Sequence, residues 1–155
     1  MTADMSRLPV RKLELLGRDD MVTDPRTSAR LSKVPRRDTR PEKIVRATLR
    51  DLGYSYRLHS RRLPGTPDIV NRSKGWAVFV HGCFWHSHRG CVRATVPKRN
   101  SEFWISKLHA NSVRDKRVVK ELEALGFRVL TIWECQVHAA NRVLGRFLEP
   151  QKPKL

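Results

Sequence analysis

The sequence predicts an α/β sandwich built on a mixed sheet, and three observations predict it. Apolar residues change from helical to alternating spacing and back in the order α-β-β-β-α-β-α. Residues 76–80, Trp-Ala-Val-Phe-Val, form the most continuous apolar run of the chain, as a central strand would. No internal repeat, low-complexity tract or second composition regime interrupts the 155 residues, so one domain with its own hydrophobic core is expected.

The first element is a helix opening on the capping box Thr39-x-x-Glu42. Pro41 fits its first turn, and Ile44, Val45, Thr48, Leu49 and Leu52 recur on one face. Gly53 stops it. Residues 54–59 alternate like a strand, and residues 61–67 make a turn-rich loop. Asp68-Ile69-Val70 opens a second strand, residues 71–75 turn, and 76–80 is the third. A long helix starts at Ser101-Glu102, runs to Leu125 and stops at Gly126. Residues 127–133 form a fourth strand, and a final helix over 136–148 precedes a Pro/Lys tail. These elements bound a folded domain at 41–149. Residues 1–25 are expected to be a disordered extension and 150–155 a tail. Residues 26–40 are basic and Pro-interrupted. They suit an arm that orders on a phosphate backbone, with Arg36 and Arg37 among its cations, and equally suit a plain linker.

Charge narrows the partner. The net charge is +17, and most of the excess lies after residue 40, where twenty-two Lys/Arg face nine Asp/Glu. A basic folded body points to a nucleic acid or another anionic surface. No apolar run approaches the roughly 18 residues a membrane span needs, and the N-terminus has no apolar core of a signal peptide. Three cysteines cannot close a disulfide framework, so a reducing compartment is expected, cytosolic or nucleoid-associated.

The cysteines have a spacing suited to metal. Cys83-x4-His88-x2-Cys91 can supply three ligands from one loop, and Cys135 a fourth from the end of the last strand. Three thiolates and one imidazole form a closed, structural zinc set, against which stands burial of the cysteines as small apolar groups. Asp68 follows Pro67 at the start of an apolar strand. A carboxylate projecting from a sheet edge can hold a hard cation such as Mg²⁺, though Asp in a turn is also common. On the long helix the inward stripe reads Ile105, Leu108, Asn111, Asp115, Val118, Leu122, Leu125. A carboxylate on that face needs a partner. His86 would gain a fixed tautomer from it; Arg114 or Arg128 is the plainer alternative. The pairs Phe84-Trp85 and Phe103-Trp104 could wedge between base steps, while core packing explains at least one member of each.

Taken together these residues resemble the very short patch repair (Vsr) mismatch endonucleases. The resemblance rests on Glu42 after its capping Thr, GTPDIV, FVHGCFWH, EFW at 102–104, NSVRD at 111–115 and LGFRVLTIWEC at 125–135. It covers roughly residues 26–140. It implies a restriction-endonuclease-like fold, a mixed central sheet flanked by helices, and a Mg²⁺-dependent nick 5′ to the thymine of a T:G mismatch in double-stranded DNA. Asp68 would hold the Mg²⁺ together with the backbone carbonyl of Val80, and His86 would be the general base supported by Asp115. Glu42 and His81 would hold metal-bound water or phosphate, and Cys83, His88, Cys91 and Cys135 the structural Zn²⁺. Phe84, Trp85 and Trp104 would form the intercalating wedge, with Asn111 beside it on the DNA. The sheet lacks the Glu-x-Lys strand usual in restriction-type nucleases, so His86 takes over activation of the water. A cytosine-5 methyltransferase is the expected companion activity, mismatch-repair proteins are candidate partners, and a monomer is expected. Two other readings carry distinct expectations. A non-catalytic DNA-binding protein would bind the mismatch without cutting, and a restriction-type nuclease would cut paired DNA.

Overall fold

The computed structural model describes residues 25–149. The expected extension, except for its last residue, and the tail from Pro150 onward lie outside them. The chain divides into two compact units, one of residues up to Arg36 with Gly82–Arg117, the other of Arg37–His81 with residues from Val118 onward.

The elements in order are α1 (Pro25–Ser32), α2 (Arg40–Asp51), β1 (Arg57–Leu58), β2 (Ile69–Asn71), β3 (Trp76–His81), α3 (Ser101–Ala124) and β4 (Arg128–Trp133). A 3-10 helix (Glu134–Ala139) and α4 (Ala140–Leu148) follow. The fold is mixed α/β, as expected. Part of the 26–40 segment differs from an irregular arm: it is helical in α1, where Pro25 with its preset φ opens the helix.

Strand order is β1-β2-β3-β4, with β1–β2 and β2–β3 antiparallel and β3–β4 parallel. Antiparallel neighbours need only short turns, whereas the parallel pair needs the long connection through α3. Alternation along β3 sorts the core onto two faces. Trp76 and Val78 join Ile69 and Ile132 against Val45 and Leu49 of α2 and Leu144 and Leu148 of α4. Ala77 and Phe79 join Val70 against Val118 and Leu122 at the end of α3. Helices therefore cover both faces of the sheet in this unit.

Several boundaries differ from the expected ones. The first strand is only Arg57–Leu58, because Tyr54 and Tyr56 pack their rings on the α2–α4 core while the ladder itself is two pairs long. The last helix starts late, since residues 134–139 wind as a 3-10 turn first. Leu125, expected on the inward stripe of the long helix, is 59% exposed: it lies past the end of α3, where the chain reverses into β4.

α2 shows how the sequence fixes an element. Thr39 accepts from the Glu42 amide and donates its hydroxyl to Glu42 Oε1 at 3.0 Å, while Glu42 Oε2 accepts from the Asp38 amide at 3.0 Å. That is a capping box, reaching back one residue further than the usual reciprocal bond. Leu52 caps the other end and Gly53 follows at φ 79°, a left-handed turn that glycine adopts without strain.

Candidate functional site

The unit containing Gly82–Arg117 is organised by one face of α3. Asn111 and Asp115 sit one turn apart and reach consecutive residues of the preceding loop. Asn111 Nδ2 donates to the Trp85 carbonyl at 2.9 Å, and Asp115 Oδ2 lies 2.6 Å from His86 Nδ1. The two polar residues interrupting the apolar stripe thus strap Trp85 and His86. His86 is the shorter contact, while Arg114, half exposed, also donates to Asp115 Oδ1 at 3.3 Å, and Arg128 donates instead to the Phe147 carbonyl. A carboxylate at Nδ1 holds that proton and leaves Nε2 of neutral His86 as the basic nitrogen.

Above this strap four rings meet edge to face. Phe84 lies 5.1 Å from Trp85 and 5.3 Å from Trp104, and Trp104 lies 5.4 Å from Phe103. Phe103 and Trp104 are buried, whereas Phe84 and Trp85 are partly exposed. The same loop turns back through the amide of His88, which donates to the Cys83 carbonyl, and brings the ligand atoms of Cys83, His88 and Cys91 within 4.8 Å of one another. Cys83 Sγ and His88 Nδ1 are 3.5 Å apart. Metal bonds of about 2.0 to 2.3 Å at tetrahedral angles put neighbouring ligands about 3.5 Å apart, so the donor chemistry and the spacing both fit zinc. Among the described residues no cysteine is in a disulfide.

In the other unit, Asp68 stands just before β2. Its Oδ2 accepts from the Val80 amide at 2.8 Å. Burial pushes the Asp68 carboxyl up to about 6, and the Glu42 carboxylate adds to this; the Val80 N–H, His59 and Arg46 pull the other way. Glycine is required just upstream. Gly65 has φ 67°, and a Cβ there would lie 2.3 Å from Val118 Cγ1, so the loop leading to Asp68 is pressed onto the helix. His81 ends β3, buried between the rings of Phe79 and Trp133 at 5.6 and 5.5 Å. Cys135 lies in the 3-10 helix that follows β4. Glu42 is buried in its capping box, and Arg36 and Arg37 are exposed.

The DNA mismatch endonuclease Vsr family model matches residues 14–93, more than half of the chain. The chain belongs to the Vsr family. Relatives agree along most of their length. A type II nicking enzyme of Xanthomonas oryzae pv. oryzae is 44% identical over 84% of this chain and 98% of its own. Another from Neisseria meningitidis is 39% identical over 76% and 84%. The DNA mismatch endonuclease Vsr of Escherichia coli is 37% identical over 78% and 77%. The protein is thus a DNA endonuclease, a hydrolase of the phosphodiester backbone. No helix among the described residues is long and apolar enough to cross a membrane.

Two residues of this Vsr-family site escape a reading of the sequence. Arg46 is buried beneath Glu42, and its i,i+4 spacing from Glu42 is a signal that could have found it. His59 sits between Asp38 and Asp68 with its backbone in the left-handed region at φ 46°. No motif marks it.

Proposed function

We propose that this Vsr-family endonuclease nicks one strand of duplex DNA 5′ to the thymine of a T:G mismatch, with Mg²⁺ at Asp68. The observation that carries the metal reading is the edge formed by Asp68 and Val80. Val80 donates its N–H to the Asp68 carboxylate, and in a strand the N–H and C=O of one residue point to the same side. Continued two residues past the Ile69–Val78 pair, the register sets Val80 opposite Pro67, which has no N–H to offer that carbonyl. A partly buried carboxylate and a carbonyl without a ladder donor are oxygen ligands suited to a hard divalent ion. Such an ion, when bound, stabilises charge on the scissile phosphate and the leaving oxygen.

The chain's own residues do the rest. His86, held at Nδ1 by Asp115, takes the proton of the attacking water at Nε2. His81 orients water or phosphate from the end of β3. Glu42, expected to hold metal-bound water or phosphate, has Oε1 taken by Thr39 and Oε2 by Asp38 and Arg46, and so acts indirectly, through the Arg46 guanidinium. Phe84 and Trp85 wedge beside the mismatch; Trp104, expected as the third ring of that wedge, is buried and with Phe103 forms their platform, and Asn111, expected on the DNA, fixes the Trp85 backbone. A T:G pair is already weakened, so opening the stack at its flank costs less than at a matched step. The basic segment 26–40, with Arg36 and Arg37, tracks the phosphate backbone. Cys83, His88 and Cys91 bind structural Zn²⁺, with Cys135 as the fourth ligand read from the sequence. The body from 41 to 149 has the restriction-endonuclease-like fold, a reading supported by its mixed sheet covered by helices on both faces.

The strand-specific nick is supported by relatives named nicking enzymes, and the mismatch substrate by the relative named a mismatch endonuclease. Such mismatches arise when 5-methylcytosine deaminates, so a cytosine-5 methyltransferase supplies the base from which the lesion forms, and mismatch-repair proteins meet the same DNA in the bacterial cytoplasm. The protein works as a monomer, since one strand is cut. The test is a Mg²⁺-dependent assay on duplexes with one T:G pair in randomised flanks, beside matched T:A and C:G controls. A nick 5′ to the mismatched T is expected, lost to background in Asp68→Ala while DNA binding persists. His86→Ala should lose about 10²- to 10⁴-fold in kcat, and Asp115→Asn should add little to that loss in the double variant. Cutting of matched duplexes at equal rate would overturn the mismatch reading.

A further inference from the structure

Beside Asp68 lies a second group of potential metal ligands. Asp38, Glu42 and His59 bring carboxylate oxygens and a ring nitrogen within 4.8 Å of one another. Two carboxylates and an imidazole would ordinarily suit a divalent ion. Here a side chain has taken the place. Arg46 Nη1 lies 2.5 Å from Asp38 Oδ1, and Nη2 lies 2.8 Å from Glu42 Oε2 and 3.2 Å from His59 Nε2. Arg46 is only 7% exposed, and its Nε is buried without a hydrogen-bond partner among the described residues. A buried guanidinium with one N–H left unsatisfied is a costly group, retained here by its two carboxylates. The planar fork meets both acids from α2 itself, one turn above Glu42.

We propose that Arg46 is a built-in cation of the nuclease site: a positioning residue that binds Asp38, Glu42 and His59 into one ionic cluster beside Asp68 and keeps a divalent ion off those three groups. The positive charge that a second metal would bring is therefore part of the polypeptide. It is present before DNA or Mg²⁺ arrives and needs no free-ion concentration to fill it. The proposal rests on the reading of Asp68 as the metal carboxylate, and the experiment separates the two.

Mn²⁺ binding to the full chain would be counted by electron paramagnetic resonance in the wild type, Asp68→Ala, Arg46→Met, Arg46→Lys and the Arg46→Met/Asp68→Ala double variant. Arg46→Met should bind one Mn²⁺ more than the wild type. That extra ion should survive in the double variant, disappear when Asp38→Asn is added, and be absent from Arg46→Lys. Should Arg46→Met fail to fold, Arg46→Gln carries the same expectation. An unchanged count in the folded neutral variants would overturn the proposal. So would a wild-type ion that is lost with Asp38→Asn but not with Asp68→Ala, since an ion would then share the cluster with Arg46. Equal binding by the wild type and Asp68→Ala would instead defeat the metal reading of Asp68, and the comparison of Arg46 variants with the wild type would still decide the role of Arg46.

Discussion

Asp38 and Asp68 stand on either side of the His59 ring, each with a carboxylate oxygen 4.0 Å from one of its nitrogens, yet their surroundings drive them apart. Asp38 is mostly exposed and takes a hydrogen bond from Arg46, which holds its carboxyl below the usual range. Asp68 is mostly buried, receives one backbone N–H, and is pushed up to about 6. The first carboxylate is already matched to a cation supplied by the fold. The second has its desolvation cost met only in part, as the proposed metal carboxylate would before its ion binds.

That contrast can be broken at the matched side first. Glu42→Gln removes one of the two anions that hold the buried guanidinium. Breaking a buried ion pair from one side is strongly unfavourable, and with Asp38 still in contact a loss of about 3 kcal/mol is expected in denaturant unfolding. A midpoint equal to that of the wild type would mean Arg46 escapes to solvent and the cluster is not rigid.

The unmatched side should respond with the opposite sign. Asp68 has its folded pKa raised above the ordinary carboxyl value of 3.8, so the stabilisation of its protonated form is full below about 3.8 and lost as pH rises through about 6. Asn in its place avoids that loss and can still accept the Val80 N–H. Without divalent metal, Asp68→Asn should therefore match the wild type near pH 3.5 and exceed it well above pH 6 by about 3 kcal/mol, from 1.36 kcal/mol per pKa unit. Adding Mg²⁺ should raise the wild-type midpoint and leave the variant unmoved. A variant less stable than the wild type at pH 8 without metal would show that the carboxylate is satisfied inside the protein. The smallest effect belongs to Asp38→Asn. Its side chain is 60% exposed, so thermal unfolding should shift little at any pH above 5, even though the residue touches Arg46.

The sequence makes some of this legible and hides the rest for identifiable reasons. The α2 start is readable because Thr39 and Glu42 act on neighbouring backbone, where spacing alone fixes the partners. Asp115 is readable because a carboxylate on an apolar helical face demands a partner, and His86 is that partner. Leu125 misleads because periodicity continues past a helix end that only chain reversal defines. Arg46 looks like any surface arginine of a basic chain: its i,i+4 spacing from Glu42 marks an ion pair on α2 but says nothing of burial. His59 is invisible because its role comes from a left-handed backbone and from groups on α2 and before β2. Asp115 is found because its oddity is written in its own helix even though its partner is distant, whereas His59 carries no local oddity and gains its meaning only from tertiary approach.

The parallel pairing of β3 with β4 also bears on how the protein comes to exist. Trp76 pairs with Arg128 and His81 with Trp133, so every rung of this ladder joins distant parts of the chain. Closing such a loop costs entropy before any rung rewards it, which slows folding and delays this ladder relative to local turns. The strand that ends in Val80 and His81 has its β4 neighbour only after residues 82–127 have been brought round. A nascent or partly unfolded chain can therefore carry α2 with its ionic cluster while its sheet still lacks a long-range partner. The ability to cut DNA would then appear late, withheld from a chain that has not finished folding.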